Sequence, residues 1–388
     1  MNEDSTLHNR GGTVKGTGKA GLQVDQLQCL NFRGRAVTCT RCADACPARA
    51  LKLTADAVHL EAELCTNCGA CLPVCPSGAM QLTEFDPRQF LETLTGGDEV
   101  HIYCSRSDDV DDGNMVPCLQ VLDARLLAAA AAGGAETVVL HGTSQCSSCD
   151  RRDARAAVEQ LHTDLEAWFI DAPVHLKQAK HAPAEAGEQL GEDQVNLERR
   201  NFLRFAGAYA ANSASKWLVD AAPEPQAENS QWPLFPSDGS TGRPAAYQEL
   251  LAEQAGALRW RDHQLPWRSR TFSDACNTCL TCTQRCPTGA LVAEETESSI
   301  VIWFGLHLCT DCGLCERLCP ESAISAVSVM HPEELRAPPL RVMHRSLRQC
   351  IVCSRSFDPG QDSAELCTIC QNEQDVANDW KAIFTNSS

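Results

Sequence analysis

Cysteine carries the chemistry this chain could do. It has 24 of them in 388 residues, most in short runs. Cys276, Cys279, Cys282 and Cys286 end on Pro287, and Cys309, Cys312, Cys315 and Cys319 end on Pro320. Upstream, Cys65, Cys68, Cys71 and Cys75 precede Pro76, while Cys39, Cys42 and Cys46 precede Pro47. That last run lacks its first member, because position 36 holds Ala36. Thiolates are soft ligands suited to iron and zinc. Three spaced this closely can face one inorganic core through a tight loop, and a fourth from a distant run pins two halves together. The proline denies the loop a helical continuation. Disulfides are the competing use of paired cysteines, and they belong to secreted proteins. The opening MNEDSTLHNRGGTVKGTGKAG has no apolar stretch of a secretory signal, and LLAAAAAGGA (126–135) is far short of a membrane span. The expected setting is the reducing cytoplasm, with the thiols holding metal.

The elements that must position these runs recur as well. CTRCADACPARAL (39–51) parallels CLTCTQRCPTGAL (279–291), and LCTNCGACLPVCPSGAM (64–80) parallels LCTDCGLCERLCPESAI (308–324). Between the paired runs lie ALKLTADAVHLEAE and ALVAEETESSIVIWFGLH, each reading as a β-hairpin. A whole module is therefore duplicated, at 25–90 and 246–330. Structural zinc draws on separated C-x2-C pairs rather than unbroken runs of four closed by proline.

The runs resemble those of the bacterial two-[4Fe–4S] ferredoxins, in which three cysteines of one run and the fourth of the other hold each cluster. By that resemblance Cys276, Cys279, Cys282 and Cys319 hold one cluster, and Cys309, Cys312, Cys315 and Cys286 hold its neighbour. In the first module Cys65, Cys68, Cys71 and Cys46 make a full set, and Cys39, Cys42 and Cys75 are left one short. Cys29 is the expected fourth ligand, reaching over the loop LNFRGRAVT; a three-cysteine [3Fe–4S] site or a vacant one is the alternative. Arg33 and Arg35 in that loop favour the reduced, more negative form of whatever it encloses.

Residues 96–170 alternate strand and helix patterns, a small α/β domain, with Cys104, Cys118, Cys146 and Cys149 at apparent strand ends. The arrangement resembles the delta subunit of methyl-viologen-reducing hydrogenases. The resemblance implies a [2Fe–2S] centre on those four cysteines; structural thiols or a redox-active CxxC remain open beside it. Near the end, Cys350, Cys353, Cys367 and Cys370 form two C-x2-C knuckles in a zinc-ribbon-like segment, 345–375, expected to hold one zinc, with rubredoxin-like iron as the alternative.

The fold expected is thus α+β and multidomain: a disordered tail (1–24), two ferredoxin-like dicluster modules, the small α/β middle domain, a linker (171–245) with a helix at 196–219, and the zinc ribbon. RRNFLRF (199–205) reads as the start of that docking helix rather than an export signal, and GTGKAG (16–21) has no strand before it to make a dinucleotide loop. The net charge of −18 disfavours nucleic acid and anionic membranes and points to protein partners. With no nucleophile–base constellation or phosphate loop, the expected role is relay of low-potential electrons through four [4Fe–4S] clusters between partner oxidoreductases. The chain resembles accessory ferredoxins associated with molybdenum or tungsten enzymes such as formate dehydrogenases, which implies a partner of that kind, as the delta-subunit resemblance implies one of hydrogenase type. A maturation factor or redox sensor using the clusters structurally is the alternative.

Overall fold

The computed structural model describes residues 21–179 and 246–385, apart from 56, 95, 96, 109–113, 152, 263, 330 and 360–363. The helix expected at 196–219 and most of the tail lie outside them. The first module begins earlier than expected, because Leu22–Val24 form strand β1 rather than tail. Helices α1 (Leu30–Gly34) and α2 (Arg41–Ala45) follow, then the hairpin of β2 (Leu51–Leu53) and β3 (Val58–Leu60), and last β4 (Met80–Leu82). β1 closes antiparallel on β4 with Leu22 opposite Leu82 and Val24 opposite Met80. These apolar residues are buried while Gln23 and Gln81 face out, the period-two alternation of a half-buried sheet. Helix α3 (Pro87–Thr93) starts where Asp86 accepts the amides of Arg88 and Gln89 and Pro87 fills the first helical position.

The middle domain holds β5 (Glu99–Cys104), β6 (Asn114–Val116), α4 (Ala124–Ala132), β7 (Thr137–His141), α5 (Arg155–Trp168) and β8 (His175–Gln178). Its four strands are parallel in the order β6-β5-β7-β8. β8 extends this sheet into the stretch expected to be linker. Alanine-rich α4 buries Leu126, Leu127 and its run of alanines, capped at the front by Asp123.

Residues 246–267, expected at the start of the second module, pack on the middle domain as well as on the turn Leu306–Leu308 of that module. Helix α6 (Ala246–Gln254) lies against α3 and α4. Tyr247 donates to Val121 O at 2.7 Å, and Arg88 bridges Glu249 and Glu253. Phe169, Trp260 and Trp267 pack beyond it, tilted and edge to face.

The second module repeats the first: β9 (Arg268–Phe272), α7 (Thr281–Arg285), the hairpin β10 (Leu291–Glu295) and β11 (Ser299–Phe304), α8 (Leu314–Leu318) and β12 (Ile324–Ser328), with β12 antiparallel to β9. A later strand, β13 (Leu340–Ser346), joins the hairpin as a third member. The C-terminal segment is a short hairpin, β14 (Arg348–Gln349) and β15 (Ser356–Phe357), followed by α9 (Thr368–Thr385). Its first cysteine pair lies on the hairpin, and its second pair lies at the start of the helix, with Cys367 just before α9 and Cys370 in its first turn. Among the described residues no helix is long and apolar enough to cross a membrane.

Candidate iron–sulfur and metal centres

In the first module the crossed pattern is visible as two separate cavities. Cys46, Cys65, Cys68 and Cys71 line one, walled by Leu22, Leu51 and Leu82. Cys29, Cys39, Cys42 and Cys75 line another, walled by Leu30, Val58 and Met80. Four thiols converging between apolar walls suit one compact inorganic core in each. Cys29 thus stands at the place that Ala36 leaves open. The four sets are named below by their first run-member: the Cys29, Cys65, Cys309 and Cys276 quartets.

The thiols of each set crowd one another, and each set has at least one buried member. Burial pushes Cys42 up to about 12, with the charges of Cys75, Cys39 and Cys29 adding to the rise. In the second module burial lifts Cys282 to about 12, helped by Cys315, Cys276 and Cys279. Burial does the same to Cys312, to about 12, with Cys286 and Cys315 contributing. Thiolates crowded in a dry cavity repel one another unless a metal core sits between them, and bound metal inverts that logic by deprotonating its ligands.

Backbone conformation explains why the loops can face a core. In three of the four, the residue before the second run-cysteine and the residue after it are left-handed: Asn67 and Gly69, Thr278 and Leu280, Asp311 and Gly313. Non-glycine residues adopt this region at a cost of about 1–2 kcal/mol each. The residue three past each terminal cysteine is left-handed too: Arg49, Gly78, Gly289 and Ser322. The turns wrap amides around the sulfurs, and Ala50 N donates to Cys46 Sγ at 3.3 Å as Ala323 N does to Cys319 Sγ at 3.2 Å. Hydroxyls reach the other two terminal cysteines: Ser77 Oγ lies 3.7 Å from Cys75 Sγ, and Thr288 Oγ1 3.7 Å from Cys286 Sγ. The loop ending at Cys39 is the exception. Thr40 is right-handed, and the turn is made at Arg35 instead.

What organises that exceptional loop is Asn31, which the sequence did not single out. Buried in α1, its Oδ1 accepts from Thr38 N (2.9 Å) and Cys39 N (2.8 Å), and its Nδ2 donates to Cys39 O (2.9 Å). One side chain clamps the helix that follows Cys29 to the stretch of chain that carries Cys39. Arg270 was missed as well. Its side chain is 1 % exposed and ion-paired with Asp311 at 2.6 Å and Glu316 at 3.2 Å. Burial works against its charge, but thiolate charge at Cys309 and bonds to Asp311 and Cys315 hold its pKa above the usual arginine range. It is a fixed cation against the Cys309 quartet. Of the expected pair, Arg33 reaches away from the Cys29 cavity, with Nε donating to Leu27 O at 2.6 Å, and Arg35 is exposed at the turn.

The middle-domain cysteines gather at the carboxyl ends of the strands. Cys104 ends β5, Cys118 precedes the turn Leu119–Val121, and Cys146 and Cys149 lie in and just after the turn Thr143–Ser148. A hydrogen bond from Cys118 holds the Cys104 thiol well below its usual range. Gly142, at φ +94°, lets β7 end close to β5: a Cβ there would stand 3.0 Å from that of Cys104. These strand ends face the first module. Arg151 donates to Ser105 Oγ at 3.0 Å, and its charge acts on Cys104 and also, against the effect of burial, on Cys65.

At the C-terminus, Cys350, Cys353, Cys367 and Cys370 have sulfurs all within 4.8 Å of one another. Cys353 Sγ and Cys367 Sγ are 3.7 Å apart. A tetrahedron with metal–sulfur bonds of about 2.3 Å has edges of about 3.8 Å, so the set fits one ion. The arginines expected to form a basic strip before it are partly internal ties. Arg336 donates to Glu253 O, and Arg345 bridges Asp274 and Asp358.

Residues 35–79 match the family model described as a 4Fe-4S dicluster domain, and 309–323 match one described as a 4Fe-4S binding domain. No curated protein matches the chain. The matched stretches are parts of the two duplicated modules, and together with the cysteine-lined cavities they make this an iron–sulfur, ferredoxin-like protein with 4Fe-4S domains of the electron-transfer type.

Proposed function

We propose that this chain is an electron-transfer protein or subunit that carries four [4Fe–4S] clusters, one on each quartet, and relays low-potential electrons between partner oxidoreductases. The observation that carries the reading is the pair of separate cavities in the first module, each ringed by four cysteines, the second completed by Cys29. Bound there, a cubane supplies a one-electron site. The chain's part is to hold it dry, donate hydrogen bonds to its sulfurs and set its potential by nearby charge. The four C-terminal cysteines hold one zinc, whose spacing they fit. Cys104, Cys118, Cys146 and Cys149 hold a [2Fe–2S] centre, a reading supported by their position at the strand ends facing the Cys65 quartet. Partners are redox proteins: the middle domain's resemblance favours a hydrogenase-type enzyme, and the resemblance to accessory ferredoxins a molybdenum or tungsten enzyme.

Anaerobic purification with iron, sulfide and zinc analysis, followed by EPR of the reduced protein, tests this. About sixteen cubane irons, about two more for the middle domain and about one zinc are expected. Colourless protein, or zinc in place of iron, overturns it. Cys29→Ala is expected to change the spin signature of the cluster on its own quartet without loss of iron from the other three; unchanged spectra would remove Cys29 from the ligand set.

A further inference from the structure

The duplicated modules touch at one place that bears on how their sites connect. Helix α1, which begins straight after Cys29, packs on α8 of the second module, which contains Cys315. A Cβ on Gly34 would lie 3.4 Å from Leu314 Cδ1, so the two helices meet in ordinary van der Waals contact. Across that contact Arg33 Nη1 donates to Cys286 O at 3.3 Å, while the Arg33 amide donates to Cys29 O at 3.0 Å. One arginine is thus hydrogen-bonded to the backbones of two cysteines, one from each module. Each is a member of a different quartet.

We propose that the modules are joined head to head, so that the four quartets stand in one row: Cys65, Cys29, Cys309, Cys276. Arg33 is the positioning residue that holds the two inner quartets together. The proposal rests on the reading of the quartets as cluster sites. Tunnelling slows steeply as the gap between sites widens, so a row with a bridged centre makes one wire where separated modules would make two. Each hop along it moves a single electron, oxidising one site and reducing the next by one, with no bond made and no proton moved. The inner quartets also share a local device that the outer ones replace. Their terminal cysteines, Cys75 and Cys286, face the hydroxyls of Ser77 and Thr288, whereas Cys46 and Cys319 accept from the amides of Ala50 and Ala323. The outer ends of the row differ in access: Cys279, in the Cys276 quartet, is exposed, while the Cys65 quartet faces the middle domain.

The test compares two versions of the full chain, reduced anaerobically with dithionite. One has its outer quartets emptied (Cys65→Ser, Cys68→Ser, Cys276→Ser, Cys279→Ser), and the other its inner ones (Cys39→Ser, Cys42→Ser, Cys309→Ser, Cys312→Ser). The protein retaining the inner pair is expected to show EPR lines broadened by spin–spin interaction between modules. The protein retaining the outer pair is expected to show narrow, independent lines. Adding Arg33→Met to the former is expected to weaken the broadening without loss of iron. Iron content separates the two levels of the argument. Variants that hold no iron, together with an iron-free wild type, defeat the cluster reading itself. Iron-loaded variants with no interaction, or with interaction only in the outer pair, overturn the row. Where emptied quartets prevent folding, Cys29→Ala in the otherwise complete chain decides instead: the Cys309 signal sharpens if the inner quartets adjoin, and an unaltered signal overturns the row.

Discussion

Asn31→Ala isolates the device on which the Cys29 quartet depends. The side chain makes three hydrogen bonds to the backbone of 38–39, and it is buried itself. A buried hydrogen bond contributes about 1 kcal/mol net, and an amide left without a partner in a dry site costs about 1–3 kcal/mol. Thr38 is exposed, so water replaces its bond, whereas Cys39 is half-buried and bears more of the penalty. The sum is about 3 kcal/mol, or roughly a 100- to 200-fold shift toward states in which α1 has left the Cys39 loop. Iron release to a ferrous chelator reads this directly. About one quarter of the cubane iron is expected to leave some 100-fold faster than in wild type, with the rest unchanged. Asn31→Asp keeps both acceptor bonds but loses the donor and adds negative charge beside a thiolate set, so its effect falls between. Release at the wild-type rate, or acceleration spread over all the iron, would refute the idea that Asn31 serves one site only.

Arg270→Met removes a cation 1 % exposed and leaves Asp311 and Glu316 facing each other beside thiolates. With those carboxylates partly solvated, thermal denaturation is expected to show a loss of about 2–3 kcal/mol, and redox titration a lower potential for the Cys309 quartet alone; an unmoved potential would leave Arg270 a purely structural residue. Gly69 has φ +77°, and a Cβ there would meet Val121 Cγ2 at 3.0 Å, at the contact between the first module and the middle domain. Gly69→Ala is expected to cost about 2–4 kcal/mol from strain plus overpacking. Gly134→Ala, at φ +108° with nothing within 4 Å, is expected to cost about 1–2 kcal/mol from strain alone; equal melting temperatures would refute the clash. Removing the C-terminal metal with a chelator is expected to lower helix content as α9 loses its anchoring pair Cys367 and Cys370, while visible cluster absorbance stays. Helix content unchanged after loss of the ion would show that α9 needs no metal.

What could be read from the sequence was local, and what could not was contact between distant segments. The cysteine runs lie within a few residues of each other, and their spacing alone separates loops from hairpins, so the duplicated modules and both hairpins are legible. The crossed membership of the quartets follows only with a fold in mind, and Cys29 only by elimination, as the one cysteine upstream of a broken run. A closer signal was present in the terminal motifs. CPSG (75–78) and CPTG (286–289) share a hydroxyl and a glycine, and CPAR (46–49) and CPES (319–322) do not. That difference in four short motifs divides the sites along the same line as the inner and outer pairs. Asn31 and Arg270 left no comparable trace. An asparagine between Leu30 and Phe32 in a short helix and an arginine among the polar residues of RSRTF carry no sign of burial, and only the fold turns both inward. The misplaced boundaries have the same origin. Residues 246–267 meet the middle domain through Tyr247 of α6 and through Trp260 beyond that helix, and β8 gains its place by pairing with β7 rather than by its own composition. A strand whose side chains are mostly exposed carries no pattern of its own, so its membership in a sheet is a property of the neighbour it pairs with.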